Sequence, residues 1–413
     1  MSQIKLKHSG GNGVIIAAPS SNPASDRTLT LPSDADGTIV SKDASNNVAE
    51  VASINGGSIG TNNLIINGAM NVAQKSTSST GSGYKTIDRW SVNYSVQNAP
   101  TQAQVAVASG TTPYTLGFRK ALKVTNGDQS NGAVANSILY IRQIIESQNI
   151  AQSGWNYTSS SSFITLSFWI KSSVAQSFHG HLRARDGTSQ RYPFQTGALT
   201  ANTWTKITKV IPGNSNLQFD TDTTTNAADR GLEVVICPYM GTTYSDSGAT
   251  FDQWQANTDG NFAGTDMTTT WYETNDATLE ITGVQVEVGS TASSFAFESH
   301  ADTLRKCQRY LYILDLGTDA TVLNFQLHRY NYNTGAPHQY ITWPVIMRAA
   351  PSMTKDGTSY SGGGYQTNIT LGAALATAGV LIGDTATASG ESSFHRPNTS
   401  SGSSLRYLFS AEL

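Results

Sequence analysis

The stretch ITGVQVEVGSTASSF (residues 281–295) decides the fold class of this 413-residue chain. Val284, Val286 and Val288 recur at every second position, so they share one face of a strand, and the polar residues between them take the other face. Gly289 then ends the strand. A strand with one apolar face needs a second layer to cover it, so the stretch predicts the closing strand of a β-sandwich.

A short helix follows this strand and divides the chain. Leu304, Cys307 and Leu311 recur at helical spacing within residues 300–311. Before this helix, short strand patterns punctuated by Gly and Ser follow one another from residue 63 to residue 298, which predicts a two-sheet sandwich or jelly roll. After it, residues 312–413 return to β patterns, so residues 299–413 are predicted as the short helix plus a β-rich tip domain.

Individual strands of the sandwich are predicted from apolar or alternating runs. The strongest is FITLSFWIK (residues 163–171), expected as a central strand. The others are predicted at residues 64–66, 90–92, 121–125, 137–142, 178–183, 203–210, 232–236 and 279–288, with a turn of helix at residues 143–146. In the tip, strands are predicted at residues 312–316, 321–327, 340–343, 347–351, 368–371 and 405–409.

The first 62 residues contain short strands but no sizeable core. GVIIAAP (residues 13–19), RTLTLP (27–32) and GTIV (37–40) are separated by Ser, Asn, Asp, Gly and Pro. Each buries too little surface to fold alone. We therefore expect equivalent segments of several chains to form an intertwined stem, with a disordered tail as the alternative.

The composition excludes some partners and favours others. Only 13% of residues are charged and the net charge is −3, so the sequence implies no basic face for nucleic acid. Residues 1–8 (MSQIKLKH) lack the apolar core of a signal peptide, and no run approaches the roughly 20 apolar residues of a membrane span. Cys237 and Cys307 are expected as buried free thiols, with a disulfide as the alternative.

Four motifs together resemble a module common in tail fibres and other surface proteins of tailed bacteriophages. They are residues 281–295, CQRY at 307–310, NLIINGAM at 63–70 and DRW at 88–90. In DRW, Asp88 is expected to cap or pair and Trp90 to pack in the sandwich. The resemblance implies an all-β chain with a short-strand N-terminal stem, a central carbohydrate-binding jelly-roll β-sandwich, a short linking helix and a C-terminal tip.

The same resemblance extends to both ends of the chain. The N-terminal segment resembles the part of phage fibres, especially those of marine phages, that attaches the fibre to a virion tail or baseplate protein. WPVIMRAAP (residues 343–351) and FSAEL (409–413) also match the phage pattern. These likenesses imply a homotrimeric virion component that is made in the host cytoplasm, binds a host surface glycan and is inserted in no membrane.

Aromatic side chains in polar loops are the candidates for glycan binding, because sugar rings present apolar C–H faces bordered by hydroxyls. Two regions qualify, and in both the alternative is that the aromatics only pack the loop or a subunit interface. The first is expected as a long loop between strands and contains Tyr239, Tyr244 and Trp254. The second lies in the tip and contains Tyr330, Tyr332, His338, Tyr340 and Arg396.

Metal ligands are a second class of candidate. His179 and His181 lie on one face of a strand, where imidazoles suit transition metals. Asp220 and Asp222 belong to an acidic cluster that could form the oxygen cage of a structural calcium, with solvated loop acids as the alternative. Glu287 is a further candidate, expected instead to pair with a neighbouring cation.

No catalytic motif is present: the sequence lacks a Gly-x-Ser-x-Gly elbow, a His-Glu-x-x-His pair and a phosphate loop. The favoured hypothesis is therefore a non-enzymatic receptor-binding fibre protein. Two alternatives remain, namely a tailspike-type polysaccharide depolymerase, which would need paired carboxylates, and a purely structural baseplate or capsid decoration protein.

Overall fold

The computed structural model describes residues 3–7, 10, 13–17, 53–54, 57–58, 63–129, 132–219, 230–245, 249–258, 260, 262–316, 325–328, 338–357, 369–383, 392–395 and 405–413. The chain divides into two compact units, Met1–Val51 and Ala52–Leu413. The boundaries expected at residues 62 and 298 stay predictions. In the first unit, β1 (Gln3–Lys7) pairs antiparallel with β2 (Gly13–Ala17).

The largest part of the second unit is a pair of antiparallel sheets of six strands each. The unit also contains a small pair, β3 (Ser53–Ile54) and β4 (Gly57–Ser58), and two smaller sheets in its C-terminal part. The strands of the two sheets are β5 (Ser78–Ser79), β6 (Ser91–Ser95), β7 (Thr101–Ala106), β8 (Lys120–Thr125), β9 (Ile138–Glu146), β10 (Phe163–Ser172), β11 (Ser177–Ala184), β12 (Gln190–Ala198), β13 (Thr205–Pro212), β14 (Arg230–Met240), β15 (Gln255–Ala256) and β16 (Thr278–Val288).

One sheet, called sheet 1, has the order β13-β10-β16-β8-β7-β5, and the other, sheet 2, has the order β15-β12-β11-β14-β9-β6. Their facing sides share one hydrophobic core, to which β10 contributes Ile164, Leu166, Phe168 and Ile170. This two-layer arrangement confirms the predicted all-β class with a central jelly-roll sandwich. It also confirms β10 as an interior strand, because β13 and β16 flank it.

The strand that decided the fold class contains a β-bulge. Leu279 and Ile281 face the core, and one extra residue, Gly283, shifts the register so that Val284 and Val286 face it too. Gly283 has φ +62°, a conformation that costs glycine little. The predicted shared face is therefore confirmed for Val284 and Val286, whereas Val288 at the strand end is exposed.

The other face of β16 is also buried. Glu287 accepts hydrogen bonds from the backbone N–H of Ser293 (2.9 Å), from the Ser293 hydroxyl (2.6 Å) and from the Gln285 amide (2.9 Å). The expectation that Glu287 pairs with a cation is thus replaced by a set of neutral donors. Residues 293–296 fold back over this face, and Ala296 N–H donates to Gln285 Oε1 at 2.8 Å.

The NLIINGAM segment is not a regular strand, contrary to the prediction for residues 64–66. It lies along β16 and bonds to it irregularly. Leu64 N–H donates to the Val286 carbonyl (2.9 Å), and Val284 N–H donates to the Gly68 carbonyl (3.0 Å). The side-chain amide of Asn63 donates to the Val284 carbonyl and accepts from Val286 N–H. Two motifs that are more than 200 residues apart in the sequence therefore form one structural unit.

Four helices occur in the described residues: α1 (Thr112–Thr115), α2 (Ser147–Ala151), α3 (Thr270–Glu273) and α4 (His300–Gln308). The predicted linking helix is α4, which begins after Ser299, whose hydroxyl accepts from Asp302 N–H at 3.1 Å. The helical turn predicted at residues 143–146 is wrong, because β9 runs on to Glu146 and α2 starts one residue later. None of the described helices is long and apolar enough for a membrane span.

The C-terminal part forms two smaller sheets, of three and five strands. The strands are β17 (Leu311–Asp315), β18 (Phe325–His328), β19 (His338–Thr342), β20 (Ser352–Asp356), β21 (Ile369–Ala374), β22 (Ala378–Gly383), β23 (Ser392–His395) and β24 (Arg406–Ser410). The strand predicted at residues 347–351 is wrong, because this segment is irregular and β20 begins only after it, at Ser352. Trp343, Tyr407 and Phe409 are buried in the core of this part.

Charged side chains fasten the C-terminal part to the end of β9. Arg309 donates two hydrogen bonds to Glu146, both of 2.8 Å, and the Tyr310 hydroxyl donates to the same carboxylate. Arg89 reaches Glu412 and donates to the Ile144 carbonyl at 2.7 Å, with its guanidinium 3.4 Å from the Tyr310 ring centroid. Residues expected to belong to separate domains therefore share buried ion pairs.

In the DRW motif, the expectation for Trp90 is confirmed, whereas Asp88 accepts from a neutral residue in place of the expected cap or ion pair. Trp90 is buried in the sandwich core, and Asp88 accepts from the backbone N–H of Gln74 at 2.8 Å. Burial raises the pKa of Asp88 to about 6. Cys237 and Cys307 are both buried free thiols, as predicted.

Candidate functional site

The outer face of sheet 2 carries a pocket of about 220 Å³. The face is formed by the residues of β9, β14 and β11 that alternate with the core residues, since successive side chains of a strand point to opposite sides. Three aromatic residues contribute to the lining: Tyr140 of β9, Tyr244 after β14 and Phe262 after β15. The remaining lining residues are Ile138, Arg142, His181, Arg183, Arg185, Glu233, Val235 and Met240.

One carboxylate and two guanidinium groups form a network in the pocket. Glu233 Oε1 accepts from Arg142 at 3.2 Å and from Arg185 at 3.1 Å. The register brings these groups near one another. Arg183 of β11 lies opposite Glu233, and Arg185 follows two residues later. On the other side of β14, Val235 lies opposite Arg142 of β9, so Arg142 is two residues away from Glu233 along the pair. The Glu233 side chain is only 3% exposed, whereas those of Arg142 and Arg185 are 16% and 25% exposed.

The two predicted metal-binding histidines hold the segment after β15 (residues 262–264) against sheet 2. His181 Nδ1 donates to the Phe262 carbonyl at 3.0 Å, and His179 Nδ1 accepts from Gly264 N–H at 3.1 Å. Burial, followed by the nearby Arg191, lowers the pKa of His181 well below its ordinary value. His181 is therefore neutral at physiological pH, which suits its bond to a carbonyl.

Through these hydrogen bonds, the two histidines position the part of the pocket wall that contains Phe262. Asp266 Oδ1 lies 3.5 Å from His179 Nε2. No group of three or more His, Cys, Asp or Glu side chains that could hold a metal ion occurs in the described part of the chain. Asp220 and Asp222 lie outside the described residues, so the calcium site stays a prediction.

Of the predicted glycan-binding aromatics, Tyr244 lines the pocket and Tyr239 does not. Tyr239 belongs to β14 itself, not to the loop where the sequence placed it. It is 5% exposed and stacks on Tyr272 with 4.2 Å between ring centroids. The loop assignment of Tyr239 is therefore corrected: the strand extends further than its apolar run of residues 232–236, and Tyr239 is a core residue.

The other described candidates lie elsewhere. Trp254 donates from its indole N–H to the Pro212 carbonyl at 2.7 Å and packs edge-on against Tyr192, so it fastens the loop to the sandwich. Tyr340 of β19 is 77% exposed in the C-terminal part. His338 is placed only by its backbone, opposite His328 and Ile382. Tyr330, Tyr332 and Arg396 lie outside the described residues.

Sequence reasoning missed Tyr140, Arg142, Arg183, Arg185 and Glu233. All five belong to strands or strand ends that were predicted at least in part. The available signal was their alternation with core residues, for example Tyr140 between Leu139 and Ile141, which are both fully buried. That signal gives the face of each strand but not the strand order, so it could not show that the residues converge.

Comparison with known proteins gives weak similarities. No family model and no curated protein matches the chain. Among solved structures, it is similar to the enzymatically active domain of tailspike protein 4 of bacteriophage CBA120, at 10% identity and a TM-score of 0.28. This match covers 55% of the chain and 21% of the tailspike chain, so the chain matches about a fifth of that protein's length.

Two further similar structures are named for sugar or cellulose binding. A putative sugar binding protein from Bacteroides thetaiotaomicron matches at 12% identity and a TM-score of 0.28, covering 55% of this chain and all of that one. The N-terminal cellulose-binding domain of Cellulomonas fimi β-1,4-glucanase C matches at 11% identity and a TM-score of 0.25, covering 53% of this chain and 97% of that one.

Proposed function

We propose that the chain binds a glycan in the pocket on the outer face of sheet 2. The observation that carries the proposal is the combination of aromatic rings with charged hydrogen-bonding groups in one concave site. Tyr140, Tyr244 and Phe262 offer apolar surfaces to the C–H faces of sugar rings, and Arg142, Arg185 and Glu233 offer donors and an acceptor to hydroxyls. A few convergent polar groups on an apolar lining are typical of ligand sites.

We propose that binding occurs without catalysis. Glycoside hydrolysis generally uses two carboxyl groups on either side of the scissile bond. Among the described residues that line the pocket, Glu233 supplies one carboxylate, and both of its arginine partners hold it in place. A second carboxylate to complete such a pair does not occur among the described lining residues.

We further propose that the protein is a homotrimeric tail-fibre component whose N-terminal segment attaches to a virion tail or baseplate protein. The phage-like motifs, the core-poor segment 1–62 and the low charged fraction of 13% support this assignment. Three chains would present three weak glycan sites, which gives avidity. The solution mass of the full chain should then be three times the 44.0 kDa of one chain, and a monomer at micromolar concentration would contradict the trimer.

Replacing Tyr244 with alanine should weaken glycan binding by roughly tenfold to a hundredfold, as expected for the loss of a central aromatic contact. The matched control is Tyr340→Ala, which removes the exposed tyrosine of the C-terminal part. Binding of the full chain and both variants to immobilised bacterial surface polysaccharides can be compared by biolayer interferometry. The same reactions should release no new reducing ends.

The outcomes separate the two candidate regions. A loss confined to Tyr244→Ala places the site on sheet 2, whereas a loss confined to Tyr340→Ala moves it to the C-terminal part and contradicts the pocket. A chain shortened to end at Ser299 is a poorer test, because it would leave Arg89 and Glu146 buried without Glu412 and Arg309.

A further inference from the structure

The pocket on sheet 2 concentrates positive charge in a protein with few charges. Arg142, Arg183 and Arg185 line it, and Glu233 is the carboxylate among its described lining residues. Within the hydrogen-bonded network of Arg142, Glu233 and Arg185, two positive charges meet one negative charge. The network therefore keeps a net positive charge on the wall of a concave site.

Glu233 engages only a small part of the donor capacity of its partners. A guanidinium has five N–H donors in a planar fork, and Glu233 Oε1 accepts from one nitrogen, Nη1, of each arginine. Both arginines line the pocket, and their side chains are more exposed than the carboxylate between them. The exposed donors that Glu233 does not use therefore face a molecule in the pocket.

The surroundings show the same excess of positive charge. Burial lowers the pKa of Arg230 at the start of β14, and the charges of Arg185 and Arg142 lower it further. His181 is kept neutral by burial and then by arginines, so it adds no charge of its own. Groups that disfavour each other's positive charge form a field that attracts an anion.

The aromatic lining and the volume restrict what kind of anion fits. Tyr140, Tyr244 and Phe262 suit a ring with an apolar face rather than a small inorganic ion. The pocket, about 220 Å³, is smaller than the roughly 300–1,000 Å³ typical of sites for drug-sized ligands. A single sugar residue of a longer chain matches this size.

We propose that the pocket selects an acidic sugar residue, whose carboxylate or sulfate or phosphate ester is bound by Arg142 and Arg185 while its ring packs on the aromatic lining. This inference rests on the proposed glycan binding and adds the substrate class. Arginine forks bind planar carboxylates and ester oxyanions with two parallel hydrogen bonds, which a neutral hydroxyl cannot match.

The test compares three polymers of similar length: polygalacturonate with carboxylates, dextran sulfate with sulfate esters, and neutral dextran. Binding to the full chain is measured by affinity electrophoresis at low and high salt. The central variant is Arg185→Gln, which leaves Arg142 to pair with Glu233. The matched control is Lys206→Gln, which removes the same charge from an exposed position on β13 of sheet 1.

At least one acidic polymer should bind at least tenfold more tightly than dextran, and the preference should fall with salt. Arg185→Gln should remove most of this preference, Arg185→Lys should keep part of it, and Lys206→Gln should keep all of it. The stronger of the two acidic polymers identifies whether a carboxylate or an ester is the preferred group.

Failure of this inference is distinguishable from failure of the proposed function. If dextran binds as tightly as both acidic polymers and Tyr244→Ala weakens all three, the glycan site stands and the acidic preference is wrong. Equal losses in Arg185→Gln and Lys206→Gln also overturn the preference, since they indicate a general charge effect. If Tyr244→Ala alters the binding of no polymer, the glycan site itself is wrong.

Discussion

The substitution Gly68→Ala is expected to lower the free energy of unfolding by about 4 kcal/mol, of which overpacking contributes about 3 and strained hydrogen bonds about 1. A Cβ atom on Gly68 would lie 2.1 Å from the Val284 carbonyl oxygen, which is backbone and cannot turn aside. Relief requires the NLIINGAM segment to move away from β16, which strains the bond from Val284 N–H to the Gly68 carbonyl. Urea unfolding followed by tryptophan fluorescence measures the loss.

Gly81→Ala is the matched control for this substitution. A Cβ atom there meets the Lys85 side chain at 3.0 Å, and that chain can move at little cost. We expect a change within about 1 kcal/mol, the usual scale for glycine replacements without strain. Equal stability of the Gly68→Ala and Gly81→Ala proteins would show that the packing of the segment on β16 is not as close as described.

Arg89→Met should cost about 3–5 kcal/mol, the usual cost of breaking a buried ion pair. Burial alone would lower the pKa of Arg89, but the charge of Glu412 together with the nearby Tyr310 and Tyr84 outweighs burial and raises it. Methionine can fill the space but leaves Glu412 buried without its cation and the Ile144 carbonyl without its donor. Arg89 also has φ +70°, a strained conformation for a large residue, which only its native contacts justify.

A second substitution separates charge from packing. In the Arg89→Met background, Glu412→Gln should recover part of the loss because it removes the uncompensated carboxylate, whereas in the parent chain it should destabilise. As an exposed control, Asp356→Asn breaks the pair with Arg406 and should change stability by less than about 1 kcal/mol. The free energy of unfolding of all these variants is measured by urea unfolding. A loss below about 1 kcal/mol for Arg89→Met would contradict a stabilising buried ion pair between Arg89 and Glu412.

Both substitutions fall in motifs that carried the phage resemblance, and the structure gives each motif a physical role. Gly68 is small because β16 passes directly against it, and Arg89 is placed to bind the end of the chain. These motifs stabilise the sandwich and its contact with the C-terminal part. They lie outside the described lining of the proposed binding pocket. A resemblance based on these motifs therefore supports a prediction of the fold more directly than a prediction of the ligand.

The strand patterns were readable from the sequence where one face was apolar and the other polar. FITLSFWIK and GVQVEV met this condition, and both are strands of sheet 1. The pattern misled where pairing with a distant strand decides the structure. Residues 143–146 (QIIE) continue β9 because β14 pairs with them. Tyr239, which was expected in a loop between strands, belongs to β14.

The sequence by itself determined the all-β class, the sandwich, the linking helix and the buried thiols, because each depends on periodicity or on the apolar character of neighbouring residues. Only the tertiary structure decided the site. Arg142 comes from β9, Glu233 from β14, and Arg185 directly follows β11, and they meet because the order β11-β14-β9 brings those strands side by side. Strand order arises from long-range packing and hydrogen bonding between whole sheets, and the alternation of residues within one strand carries no record of which strand lies beside it.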